Sequence, residues 1–381
     1  QGSPGFAMKA VAHNLRFRLS VRPVAGATPT PLAQRPLLRL RPDAPARLLA
    51  IAPSTVNGDQ DFEVLARCVD RFGNTVPSYE EPLRLAPVQG LSLPAEVRLD
   101  SAAGAFATAT CQRAGELPLR RLRIAVLDRE GRVTARSNPI EVNLPAGEEH
   151  IFWGDLHPHS NLEQGLETPE FLYEYARDQE KLDFIAHVEH QFATKSRWTG
   201  KHYKTWRGGM PDVPAYNADT WEYRKELIRK YAQPGRFVPL LGCEWAHNLY
   251  GHMNIYYPDL EGPNCYPRSF WDPAETPATV FRRLEGRDAI IIPHHPSAPV
   301  GAGKEGVWWA TSGYDWDYYD SRLTRLVEIY SKWGSSEHLG CRRPLLNQQA
   351  AGTAQAALER GYRLGFVAAS DTHASLSLIH I

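Results

Sequence analysis

No sign of charge predominates in this chain: 43 Lys and Arg balance 43 Asp and Glu over 381 residues. A nucleic-acid binder or a polybasic membrane anchor would carry a basic excess, so there is no clear footprint for either. No stretch is long and apolar enough to span a bilayer. No signal peptide is visible, because the residues after Met8 include Lys9 and Arg16 but no apolar centre, and a cytoplasmic address is the default. Cysteine is scarce. The five (Cys68, Cys111, Cys243, Cys265, Cys341) are odd in number and include no CxxC. Cys68 and Cys111 fall in one β-rich region and could pair, but small buried thiols suit a chain of this class better. Internal repeats and low-complexity tracts are also lacking. Gly301-Ala302-Gly303-Lys304-Glu305 has neither the spacing nor the hydroxyl of a phosphate-binding P-loop. No nucleophile elbow surrounds Ser160.

What is present is an ordinary globular composition, 43% hydrophobic and 23% charged, on a length that suits two domains. Gln1-Gly2-Ser3 reads as a cleavage scar, and residues 1–11 as tag remnant and leader. Residues 12–147 read as all-β: short alternating segments at Leu15–Val21, Phe62–Val69, Ala105–Cys111 and Arg121–Leu127, separated by Gly, Pro and Asn-Gly. That spacing favours a β-sandwich. The phrase Asp70-Arg71-Phe72-Gly73-Asn74-Thr75-Val76-Pro77 resembles a turn of bacterial immunoglobulin-like modules. From 148 to 381 the texture changes to alternating strand and helix: a Thr168-Pro169 helix start, strands at Leu182–Val188, Phe237–Gly242, Ala289–Ile292, Leu326–Tyr330 and Leu364–Ala369, and helices over Thr220–Tyr231 and Ala350–Arg360. Such alternation argues for a parallel α/β barrel.

Five clusters of metal-ligand residues stand at the ends of short apolar runs: His157-Pro158-His159, Glu189-His190, Glu244, His294-His295 and Asp371-Thr372-His373, with His252 between the third and fourth. On a strand, residues i and i+2 face one side, so His157 and His159 can reach one metal, and Asp371 and His373 repeat the spacing. One HxH pair is weak evidence. Two dyads with an acid and a further His after intervening strands are strong evidence for a metal site. Strand alternation lets only one of His294 and His295 point inward; His295 is preferred as ligand, with His294 behind it. His187, His202 and His247 read as structural or peripheral.

Taken in order, "GDLHPHS", "LDFIAHVEH", "GCEW…GHMNIYY", "IIPHHPS" and "AASDTH" resemble the polymerase-and-histidinol-phosphatase superfamily, and more narrowly its DUF3604 branch, over residues 150–375. The resemblance implies a multidomain β plus α/β protein. An N-terminal immunoglobulin-like β-sandwich would precede a distorted (β/α)7, TIM-like barrel, although this chain stops soon after the last motif. It implies that His157, His159, Glu244 and Asp371 hold a first metal, and that Glu244 bridges to a second completed by His252 and His295. His190 and His373 would serve a third metal or act, with Asp371, as acid/base groups. Asp155 would orient a ligand imidazole, and Glu189 would stand behind the ligands. Lys304 and Arg268, in the mouth loops, would hold the substrate anion. Two departures bear on the third metal: the family's "SDG" turn is Glu163-Gln164-Gly165 here, and its "TDH" is Val188-Glu189-His190. The expected activity is metal-dependent hydrolysis with two or three Zn, Mn or Fe ions, most directly of a small or oligomeric phosphate ester by a metal-bridging hydroxide. Hydrolysis of a sulfate ester, amide or lactone, or a degenerate barrel that only binds, are the alternatives. The oligomeric state is not legible.

Overall fold

The structure is a computed structural model. It describes residues 15–16, 20–21, 30–31, 37–38, 42–56, 61–71, 75–77, 79–99, 106–113, 121–143, 147–160, 162, 168–190, 218–265, 272–300 and 313–373. The chain divides into two compact units. One comprises residues 1–153 with Asp178–Asp183; the other comprises Gly154–Arg177 with Phe184–Ile379.

In the first unit, short ladders join β1 (Leu15–Arg16) to β4 (Leu37–Leu38) and β2 (Ser20–Val21) to β3 (Thr30–Pro31). A sheet of order β5-β7-β11-β9 follows, from Arg47–Ile51, Phe62–Val69, Phe106–Arg113 and Leu91–Ser92. A second has the order β10-β8-β13-β14, from Glu96–Val97, Leu83–Leu85, Ala125–Leu127 and Val133–Arg136. A third has the order β12-β15-β6, from Arg121–Leu122, Ile140–Val142 and Thr55–Val56. Alternation along β7 turns Phe62, Val64 and Ala66 to one side. There they share an apolar core with Leu83 and Leu85 of β8, Cys111 of β11, Val126 of β13 and Ile140 of β15. Each large side chain buried there contributes about 1.5–3 kcal/mol.

The opposite face of β7 explains why 178–183 belongs to this unit. Buried Arg67 meets buried Glu180 at 2.8 Å, and Lys181 meets Glu63 at 3.0 Å. The Asp183 carboxylate accepts from the backbone N–H of Trp153 at 2.7 Å and from the Ser54 hydroxyl. All five cysteines are free and buried. Residues 72–74 of the immunoglobulin-like phrase lie outside the described residues.

The second unit carries a five-stranded sheet of order β16-β17-β18-β19-β20: Gly154–Asp155, Phe184–His187, Val238–His247, Gly251–Tyr257 and Ile290–Pro293. A three-stranded sheet of order β22-β21-β23 comprises Gly334–Ser335, Leu326–Ser331 and Gly365–Ala368. Among the described residues the α-helices are α1 (Pro169–Glu174), α2 (Ala218–Tyr231), α3 (Pro277–Arg283) and α4 (Ala354–Glu359). Thr168 caps α1 as its sequence predicts, accepting from Phe171 N at 3.2 Å.

The expected (β/α)7, TIM-like barrel is not formed by the described residues. β16–β17 and β17–β18 are parallel, but β18–β19 and β19–β20 are antiparallel. The cause is the length of one connection. β18 ends at His247 and β19 starts at Gly251, and so short a link permits only a hairpin, whereas a parallel neighbour needs a crossover of a dozen or more residues. Only β21–β23 adds a further parallel pair in this unit's described ladders.

Candidate metal centre

The parallel strands set the stage. Beyond β16, Pro158 forms an isolated parallel bridge with Thr372, and His159 N donates to Thr372 O at 2.8 Å. The first and last dyads therefore lie side by side. Beyond β17, His190 bridges in the same manner to Glu244, within β18. The antiparallel β19 then places His252 next to Ala246, and β20 leads into His294 and His295.

Glu244 is the hub. Its Oε2 stands 3.3 Å from His157 Nε2 and 3.2 Å from His159 Nε2. Its Oε1 stands 2.9 Å from His190 Nε2, 2.8 Å from His252 Nδ1 and 2.9 Å from His294 Nε2. Asp371 Oδ1 lies 3.8 Å from His157 Nε2, 3.6 Å from His159 Nε2 and 3.7 Å from His373 Nδ1. Three sets, the last two sharing His159, each bring their donor atoms within 4.8 Å of one another: Glu244, His252, His294 and His295; His159, His190 and His373; and His157, His159 and Asp371. Donors of one ion bound at about 2.0–2.2 Å stand about 2.8–3.6 Å apart, from right-angled to tetrahedral arrangements. Most of the Glu244 and Asp371 distances fall in that interval, so the side chains fit divalent ions.

Their electrostatics agree. Burial drives His252, His295 and His294 toward neutral imidazole, His294 down to about 3. Burial also lowers His373, helped by His159 and Lys332. Neutral imidazole is the form that ligates metal. Burial opposes the charges of Glu244 and Asp371, but the surrounding imidazoles outweigh it and hold both carboxyls well below the usual range. Burial likewise lowers His157, yet Asp371 and Glu328 outweigh it and push it up to about 10.

Several expectations need correction. Both His294 and His295 join one ligand set: His295 has φ +33°, which breaks strand alternation, and both rings bring a nitrogen to the same group. Asp371, at φ +49°, is likewise in the left-handed region that non-glycine residues seldom adopt. Asp155 does not orient an imidazole. Its Oδ1 accepts from His157 N at 3.1 Å and Ser370 N at 3.0 Å, so it ties the backbones of the two dyads. The imidazole is held by Glu328 of β21, whose Oε2 is 2.9 Å from His157 Nδ1. Glu189 accepts from Ser160 N at 2.7 Å and its hydroxyl at 2.5 Å, and also meets His187. His247 donates to Asp272 O at 3.0 Å. Lys304, Arg268, His202 and Glu163–Gly165 lie outside the described residues.

Sequence reasoning missed Glu328 and Lys332. Glu328 left one signal, a lone acid inside the apolar run Leu326-Val327-Glu328-Ile329-Tyr330, where a buried carboxylate demands a partner. Lys332 Nζ lies 2.9 Å from His373 Nδ1.

No family model matches the chain. It is similar to an uncharacterized protein of Chlamydia pneumoniae, 23% identical over 228 residues, which is 58% of this chain and 31% of that protein. The chain thus spans about a third of the length of this curated relative. A solved structure of the Escherichia coli adhesin FdeC aligns at 16% identity over 34% of this chain and 41% of that chain, with a TM-score of 0.20, too low to indicate a common fold. No helix among the described residues is long and apolar enough to cross a membrane.

Proposed function

We propose that this chain is a metal-dependent hydrolase, specifically a phosphoesterase, related through its motif set to the DUF3604 branch of the polymerase-and-histidinol-phosphatase superfamily. The observation that carries the reading is Glu244, whose two oxygens face different sets of imidazoles, the geometry of a carboxylate shared between ions. His157, His159 and Asp371 would hold one ion, and His252, His294 and His295 a second. His159, His190 and His373 would hold a third or donate to the phosphoryl group. Bound there, Zn, Mn or Fe ions supply Lewis acidity, polarising the ester and lowering the pKa of water.

The chain's own residues do the rest. Asp155 and Glu328 fix the backbone and ring of His157, so the donors are set before substrate arrives. The His373 side chain is partly open, at 17%, and that of His190 is nearly enclosed, at 7%. Beside a bound phosphate dianion either ring would gain the proton that a departing oxygen needs.

Metal content by mass spectrometry, wild type beside Glu244→Gln, tests the site. Two or three ions per chain in wild type, and loss in the variant, are expected. Hydrolysis of aryl phosphates should vanish in Glu244→Gln and in His157→Ala. Little metal even after reconstitution would sink the reading. Intact metal with cleavage of a sulfate ester, amide or lactone in place of phosphates would keep the site and replace the substrate.

A further inference from the structure

We propose that Lys332 and Trp333 are the substrate-recognition corner of this site. Lys332 binds the non-bridging oxygens of a phosphate monoester, and Trp333 stacks on a flat aromatic group esterified to it. The inference rests on the phosphoesterase reading above and names its substrate class.

The two residues form the turn between β21 and β22. The turn is anchored to the loop that carries Asp371 and His373, because Lys332 N donates to Ser370 O at 3.2 Å. From the other side the Arg343 guanidinium donates to Lys332 O and to the Tyr330 hydroxyl. The Lys332 ammonium lies 2.9 Å from His373 Nδ1 and 4.5 Å from the centre of the Trp333 ring. The Trp333 and His373 rings are 6.0 Å apart, nearly perpendicular. An ammonium has three donors and no acceptor. One donor meets His373, which leaves two for an anion held beside the ligand imidazoles.

Exposure also marks this corner. The side chains of His157 and His159 are 0% exposed, that of His373 17%, and Trp333 as a whole 54%. Exposure thus rises from His157 and His159 toward Trp333, which brings a large open ring and a cation to a partly open imidazole. A charge that meets phosphate oxygens and a ring that meets an organic group are separate requirements, and adjacent residues supply them here.

The test uses metal-loaded protein, with metal content measured for every variant. Lys332→Met is expected to keep its metal. Its binding of inorganic phosphate by calorimetry should weaken about 10- to 100-fold, with partial rescue in Lys332→Arg. The KM for phenyl phosphate and for ethyl phosphate should rise together. Trp333→Ala should raise KM about 2- to 10-fold for phenyl phosphate alone, and Trp333→Phe should retain the preference. Unchanged phosphate binding in Lys332→Met, or loss of its metal, would overturn the assignment of the lysine. Equal effects of Trp333→Ala on both esters would overturn that of the tryptophan. Wild-type protein that binds phosphate yet cleaves neither ester would count against the phosphoesterase reading and leave the anion site standing.

Discussion

Single residues decide how well the donors are held, and Glu328 is the sharpest case. Burial lifts its carboxyl to about 7 against the pull of His157, whose Nδ1 it contacts at 2.9 Å. A charged partner behind a ligand imidazole raises the ring's basicity and fixes its tautomer. Glu328→Gln keeps a polar contact and removes the charge, so metal affinity should fall about 10- to 100-fold in a chelator competition. Unaltered affinity would reduce Glu328 to packing. The thiols carry a simpler expectation. Burial pushes Cys111 up to about 12, and all five cysteines are buried. A thiol reagent at pH 8 should find no fast-reacting group in the native chain and five after denaturation. The ligands differ in how far they could be read in advance. The His157/His159 dyad was legible from its period-two spacing, and the bridge from Pro158 to Thr372 brings Asp371 and His373 alongside it even though Asp371 has a positive φ. His294 was not, since a positive φ at His295 leaves no trace in residue order.

Among elements, the β18–β19 hairpin shapes the site most. It brings Glu244 and His252 onto neighbouring strands, with Glu244 opposite Asn254. Gly251 opens β19 at φ +94°, and a Cβ there would stand 1.4 Å from Gly313 O. Backbone cannot yield that distance as a flexible side chain could. Gly251→Ala should therefore destabilise the chain by about 3 kcal/mol or more in a denaturant titration, and native stability in the variant would show that the strand pair tolerates rearrangement. The same hairpin explains the failure to read a barrel. Every residue of Gly251–Tyr257 is buried, so the segment has no alternation to announce a strand, and its return direction is set by the short link from His247. Phe184–His187 falls within the segment read from sequence as Leu182–Val188, and Leu326–Ser331 extends the segment read as Leu326–Tyr330 by one residue.

For the molecule as a whole, the proposed metal and protons would compete for one buried set of groups, and stability should follow that competition. Metal-free, the imidazoles lowered by burial (His294 to about 3, His247 to about 4, with His187, His252, His295 and His373 also down) stay neutral in the folded chain but protonate on unfolding below about 6.5. The unfolded state then binds more protons, so stability falls as pH drops from about 6.5 toward these values. Glu328, lifted to about 7, works the opposite way between its ordinary value and 7, but it is one group against six imidazoles. His157, raised to about 10, keeps its proton in the folded chain, so its contribution is lost as pH rises from about 6.5 through 10. Chelated protein should therefore melt highest near pH 6.5 and lower at both pH 5 and pH 9. A metal bound there would remove the alkaline limb, because its charge would take the place of the proton on His157, and it would add about 4 kcal/mol at a thousandfold excess over its dissociation constant. Thermal melts across pH 5–9, with and without chelator, read both effects. Identical curves with and without chelator would mean that the cluster is satisfied by protons alone and that no ion belongs in it.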